Sequence, residues 1–277
     1  MKFTKMQGAG NDMILINGIE NKIEDYSTLA LKVCDRHFGI GADGLEVCEK
    51  SNIADIKMVY YNSDGSRGEM CGNGIRCFAK YVYDNKIVDK DIFTVETLAG
   101  IKTIWLETEN HNIKSITVDM GKPIFDPKLI PVDINKERIL EEHINVDGQD
   151  IVFSSVLVGV PHTVIFVDDI KKIDINGLGS KLEKHPIFPK KTNVNFVKVI
   201  NRREINIYTW ERGAGRTLAC GTGSCASVVI GNVLNKLDDY VKVNTEGGPL
   251  EIQIKDDYEI FLKGNATTIC VGEFYNF

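Results

Sequence analysis

Short runs in which apolar and polar residues alternate dominate this chain. The stretches at 13–16, 101–106, 115–118, 155–158, 164–167 and 260–262 are rich in β-branched residues and read as strands. Helical spacing is rarer. Residues 26–37 predict a helix that buries Leu29, Leu31 and Val33. Residues 74–85 set Ile75, Phe78, Ala79 and Val82 at helical intervals, and residues 223–236 do the same with Ala226, Val229, Ile230, Val233 and Leu234. These last two segments are apolar almost all round, which suits helices enclosed by sheet. The pattern predicts an α/β chain of two similar domains, each a mostly antiparallel sheet wrapped around a central helix.

The similarity of the two halves is visible residue by residue. Met70-Cys71-Gly72-Asn73-Gly74-Ile75 returns as Ala219-Cys220-Gly221-Thr222-Gly223-Ser224, 149 residues on. At that offset Ile56-Lys57-Met58-Val59-Tyr60-Tyr61-Asn62 falls on Ile205-Asn206-Ile207-Tyr208-Thr209-Trp210-Glu211. Asp43-Gly44-Leu45-Glu46-Val47 falls on Thr192-Asn193-Val194-Asn195-Phe196, and Val95-Glu96-Thr97 meets Val243-Asn244-Thr245 one residue short. Strand pattern, loop and cysteine coincide in order, so the halves read as two copies of one unit. Turn residues at Met120-Gly121-Lys122-Pro123 mark the boundary. Residues 1–120 then carry Cys71 and residues 121–264 carry Cys220, with 265–277 returning to the first half.

Composition narrows the partners. A formal charge of −6 over 277 residues gives no basic face for nucleic acid or an anionic membrane. The basic pairs Lys190-Lys191 and Arg202-Arg203 read as solvated surface. The opening Met1-Lys2-Phe3-Thr4-Lys5 lacks the apolar core of a signal peptide, and no apolar run is long enough to span a bilayer. Seven cysteines without framework spacing predict reduced thiols in the cytoplasm.

The two glycine loops carry the chemistry. A thiol at the mouth of a loop that opens a helix sits where the helix N-terminus favours the thiolate. Two such thiols, Cys71 and Cys220, suit moving a proton from one face of a carbon to the other, one as base and one as acid. Backbone N–H groups of Gly72-Asn73 and Gly221-Thr222 could hold the carboxylate beside that carbon. Cys34, Cys48, Cys77, Cys225 and Cys270 read as small buried hydrophobes. Their spacing contains no C-x2-C and no paired histidines, so no metal site is expected. A competing reading takes Gly221-x-Gly223-x-x-Ala226, with Glu246 downstream, as the fingerprint of a nicotinamide-dependent oxidoreductase. It leaves the Cys71 loop unexplained, and the chain is too strand-rich for a mainly parallel dinucleotide fold. His162 reads as a turn histidine after Gly159. Glu211 ends the strand that leads to Cys220, as Asn62 ends the one that leads to Cys71.

These residues resemble the diaminopimelate epimerase family. The resemblance rests on Asn62-Ser63-Asp64-Gly65-Ser66 followed by Cys71-Gly72-Asn73-Gly74-Ile75-Arg76. Gly8-Ala9-Gly10-Asn11-Asp12, the segment Arg36 through Gly44, Thr192-Asn193-Val194 and Trp210-Glu211-Arg212-Gly213 look like family segments in family order. It implies a cofactor-independent isomerase of amino-acid (lysine) biosynthesis, working without pyridoxal phosphate, with the substrate between two domains. It implies Cys71 and Cys220 as the acid/base pair, with His162 and Glu211 as polar groups supporting them. Asn11, Asn62, Asn193, Glu211 and Arg212 would hold the substrate, with Gly72, Asn73, Gly221 and Thr222 on the reacting carboxylate. It also implies a homodimer. Proline racemases usually carry histidine where Asn73 stands, and the phenazine-biosynthesis isomerases lack the cysteine pair. One departure concerns specificity. Val160 stands where the family usually has an asparagine that contacts the far end of diaminopimelate. The alternative substrates are therefore another polar amino acid such as histidine, or a lanthionine-type relative.

Overall fold

The computed structural model describes residues 1–21 and 23–275. In chain order the first stretch holds β1 (Lys2–Gly8), β2 (Asn11–Asn17), α1 (Tyr26–Cys34), β3 (Gly44–Glu49), β4 (Ile56–Asn62), β5 (Arg67–Gly68), α2 (Gly74–Asp84), β6 (Ile92–Thr97), β7 (Gly100–Glu109) and β8 (Asn112–Gly121). The second holds β9 (Ile139–Val146), β10 (Gln149–Val158), β11 (Val160–Phe166), α3 (Ile175–Glu183), β12 (Asn193–Asn201), β13 (Glu204–Glu211), β14 (Gly215–Thr217), α4 (Gly221–Val233), β15 (Tyr240–Thr245), β16 (Gly248–Ile254) and β17 (Ile260–Gly264). The last strand, β18 (Thr267–Glu273), pairs antiparallel with β1. The chain divides into two units, Met1–Asp119 with the chain from Lys263 onward, and Met120–Leu262. Residues 276 and 277 of the expected C-terminal return lie outside the described residues.

The two units have the same strand connections. In the first, β1 pairs antiparallel with β2, β2 parallel with β3, β3 antiparallel with β4, and β4 antiparallel with β5 and parallel with β6. In the second, β10, β11, β12, β13, β14 and β15 repeat those pairings in that order. The register repeats as well: Met13 stands opposite Gly44, and His162, 149 residues on, stands opposite Asn193. Each sheet is mostly antiparallel, and each unit has one almost wholly buried helix, α2 or α4, as its pattern predicts.

Alternation decides what each sheet face receives. From β3, Leu45 and Val47 join Ile14, Ile16, Val59 and the buried side of α1 in one core. From β12, Val194 and Phe196 do the same with Ile175 and Leu182 of α3. The residues between them, Glu46 and Asn195, therefore point to the other face, against Gly74 of α2 and Gly223 of α4. Asp25 caps α1, its carboxylate accepting from the N–H groups of Ser27 and Thr28.

Three local expectations need correction. The first helix stops at Cys34, because Asp35 leaves the helical region and its side chain accepts the N–H groups of His37 and Phe38. Leu31 is half exposed, since the buried stripe of α1 runs through Leu29, Ala30 and Val33. Cys270 is exposed on β18 rather than buried. Cys34, Cys48, Cys77 and Cys225 are buried, and burial pushes the Cys34 and Cys48 thiols up to about 12.

Candidate active site

In the first unit Cys71 lies three residues before the first residue of α2. Its thiol donates to Asn11 Oδ1 at 3.3 Å, and the Gly74 N–H donates to its Sγ at 3.3 Å. Asn11 is held in turn: its amide donates to Asp43 Oδ2 at 2.7 Å. Arg36 bridges Asp43 and Asp12 at 2.8 and 3.0 Å, and Lys5 meets Asp12 at 3.0 Å. Burial opposes ionisation of Asp12, yet Arg36 and Lys5 outweigh it and hold the carboxyl below its ordinary range. A rigid charged frame thus fixes which end of the Asn11 amide meets the thiol.

The loop that follows is gripped from within the fold. Arg76 is fully buried and donates to Gly72 O at 2.8 Å, to Asn73 Oδ1 at 3.0 Å and to Asn265 O at 3.3 Å. It fixes the backbone of Gly72 and Asn73 at the entry to α2, where helix N–H groups favour an anion. Asn62 lies at the end of β4, accepting from the Tyr60 hydroxyl at 2.7 Å and donating to Ser66 Oγ at 2.9 Å.

In the second unit Cys220 is itself the N-cap of α4, and its Sγ lies 3.4 Å from the Thr222 hydroxyl. Gly221 follows as the first helical residue. His162 is not in a turn: it lies within β11 and is fully buried. Burial first, and the charge of Arg212 second, push its imidazole down to about 3, so the ring is neutral. The Asn195 amide donates to His162 Nδ1 at 3.2 Å, which assigns the proton to Nε2, a buried donor with no partner. Asn193 donates to Pro161 O at 2.8 Å and accepts the Arg212 N–H at 2.9 Å, while the Arg212 guanidinium donates to Lys190 O. Glu211 accepts the Thr217 hydroxyl at 2.6 Å. Val160 is half-buried at the start of β11, opposite Val158. By the 149-residue offset it occupies the place that Asn11 has in the first unit. There an amide touches the thiol, and here a valine stands instead.

Sequence reasoning passed over Glu46, Asn195, Arg76 and Asp43. The signal for the first two was present, a single polar residue inside an apolar strand at the same place in both repeats. Against the dinucleotide reading, Glu246 is paired with Arg216 at 2.6 Å. Gly223 is glycine because a Cβ there would lie 2.3 Å from Asn195 Oδ1. Among the described residues no three His, Cys, Asp or Glu side chains group as metal ligands, and no helix is long and apolar enough to cross a membrane.

Residues 3–125 and 154–269 match the diaminopimelate epimerase family. The chain is 51% identical to the diaminopimelate epimerase of Caldanaerobacter subterraneus subsp. tengcongensis, covering 99% of each chain. It is 47% identical to that of Alkaliphilus metalliredigens, covering 100% of this chain and 98% of the other. A crystal structure of a hydroxyproline epimerase from Agrobacterium vitis superposes with a TM-score of 0.74 at 14% identity, over 98% of this chain and 91% of that one, a likeness of fold. This chain belongs to the diaminopimelate epimerase family and is an isomerase.

Proposed function

We propose that the chain interconverts LL- and meso-diaminopimelate by two-base proton transfer, Cys71 and Cys220 serving opposite faces of one α-carbon. The observation that carries this reading is the matched pair of thiols, each at the entry to the buried helix of its own unit. In one direction a thiolate removes the α-proton, breaking C–H and forming S–H. The other thiol then gives its proton to the opposite face and is left as thiolate. The reverse reaction exchanges the roles. The negative charge that develops on the substrate carboxylate is met by the N–H groups of Gly72-Asn73 and Gly221-Thr222, at helix N-termini. Asn11 stands at the Cys71 thiol, and Asn62, Asn193, Glu211 and Arg212 read the far amino-acid head. Neutral His162 offers a buried donor without adding charge, and Glu211 supports the thiols. No cofactor is called for, because the carboxylate donors supply the stabilisation. The relatives favour neither a histidine or lanthionine-type substrate nor nicotinamide chemistry.

Two free thiols working as acid and base suit a reducing compartment, and on that ground we read the enzyme as cytoplasmic. A homodimer fits β18, which pairs with β1 and exposes Ile269 and Val271. Sedimentation at the mass of a single chain would remove that part. The test of the activity is incubation in D2O with LL-diaminopimelate and a panel of L-amino acids, followed by NMR. Deuterium should enter the α-position of diaminopimelate with appearance of the meso form. Exchange confined to a monocarboxylic amino acid would overturn the substrate. A rise in melting temperature with NAD or NADP would overturn the cofactor-free reading.

A further inference from the structure

Glu46 is fully buried in the first unit, and neither carboxyl oxygen has a hydrogen-bond partner. Carboxyls are rarely left so, because burying one without partners is costly. Its position is specific. A Cβ added to Gly74 would fall 2.0 Å from Glu46 Oε1 and 3.2 Å from Cys71 Cβ, so carboxyl and thiol lie against the same glycine at the start of α2. The Gly74 N–H is already given to the thiol. The second unit has Asn195 at this place, against Gly223, and that amide is satisfied by His162 Nδ1, Thr163 O and the Thr209 hydroxyl. One helix entry is thus backed by an acid and the other by a neutral amide.

We infer that Glu46 is a positioning residue for Cys71: the two acids share a single negative charge, so that an ionised Glu46 holds Cys71 as thiol and a protonated Glu46 releases it to become thiolate. This rests on Cys71 being one of the two bases. Glu46 is fully buried and Cys71 half-buried, and two anions packed against one glycine so far out of water repel too strongly to coexist, so the pair titrates as a unit. Burial pushes the Glu46 carboxyl up to about 8, near the range where a thiol titrates. The surrounding groups leave this balance in place. Leu15 of β2 and Tyr60 of β4 stand opposite Glu46 in register, and the Tyr60 hydroxyl is turned to Asn62. From α2, Cys77 is a third buried acid; burial first and Glu46 second push it upward, with a smaller contribution from Cys71. Arg76 directs its guanidinium to Gly72 O, Asn73 Oδ1 and Asn265 O. Cys220 has no carboxyl at the equivalent place, so the two thiols differ in how they titrate.

The test is the rate of iodoacetamide alkylation of Cys71, read by peptide mass spectrometry across pH ~6 to ~10, with Cys220 followed in the same samples. Wild type should show two steps for Cys71, with a plateau between them. Glu46→Gln should show one, and should react up to about tenfold faster on the plateau, the effect of a one-unit shift. The Cys220 profile should be the same in both. A single unit-slope titration of Cys71 in wild type overturns the inference, and this needs no variant to fold. Superimposable Cys71 profiles in the two proteins overturn it as well. Neither result touches the epimerase reading, which fails separately if Cys71→Ser still turns over diaminopimelate.

Discussion

Single side chains decide what this site can hold. Val160 stands at the place where the first unit presents the Asn11 amide to its thiol, and in the proposed reading Asn62, Asn193, Glu211 and Arg212 are left to read the distal head. If diaminopimelate is the substrate, Val160→Asn should keep or raise kcat/KM for the LL isomer. A fall of tenfold or more for another amino acid such as histidine, the cost of an amide buried against an apolar side chain at about 1–3 kcal/mol, with no turnover of diaminopimelate by wild type, would say that valine receives that substrate instead. Glu46 gives a prediction on stability. Its carboxyl ionises near the ordinary 4.5 when the chain is unfolded but only near 8 when folded. The folded state then binds the extra proton, so stability is fully present below about 4.5 and is lost as pH rises toward 8. Glu46→Gln removes this dependence, and its denaturant midpoint should gain on wild type between pH 5 and 8. Parallel midpoints over that window would contradict the burial argument. The cysteines were legible in the sequence because thiol and glycines repeat together. Glu46 and Asn195 were marked only as single polar residues at matching places in two apolar strands, which does not say that each packs against the glycine at a helix entry.

At the scale of elements, packing sets where glycine must stand. Alanine favours helix over glycine by about 1 kcal/mol, yet Gly223→Ala should destabilise α4. Its Cβ would meet an Asn195 side chain held by three hydrogen bonds, and forced repacking of that kind costs about 1–3 kcal/mol. A melting temperature equal to or above wild type would show that Asn195 is free to move. The central helices and most strands were legible from periodicity alone. The third helix, α3, was not, since Gly177 and Gly179 interrupt its pattern; Gly179 is required because a Cβ there would lie 2.8 Å from the Trp210 side chain. Strand β9 was hidden in the same way by a break at Glu141, whose φ of 51° accompanies a register shift against β10.

For the whole molecule, the offset of 149 residues carried most of the architecture. It matches strand to strand and loop to loop because both copies obey the same alternation. Substrate identity was less legible, since it depends on a few polar contacts that a repeat does not encode. The relatives along the full length are diaminopimelate epimerases, and the proposed substrate leans on them. The central claim is that each half contributes one indispensable base. It is tested most directly with Cys71→Ser and Cys220→Ser, by following both epimerisation and deuterium uptake from D2O with each isomer of diaminopimelate. Each variant should lose interconversion, and any residual exchange should occur without inversion, from the face that the remaining thiol serves. Sustained turnover in both directions by either variant would contradict the two-thiol mechanism.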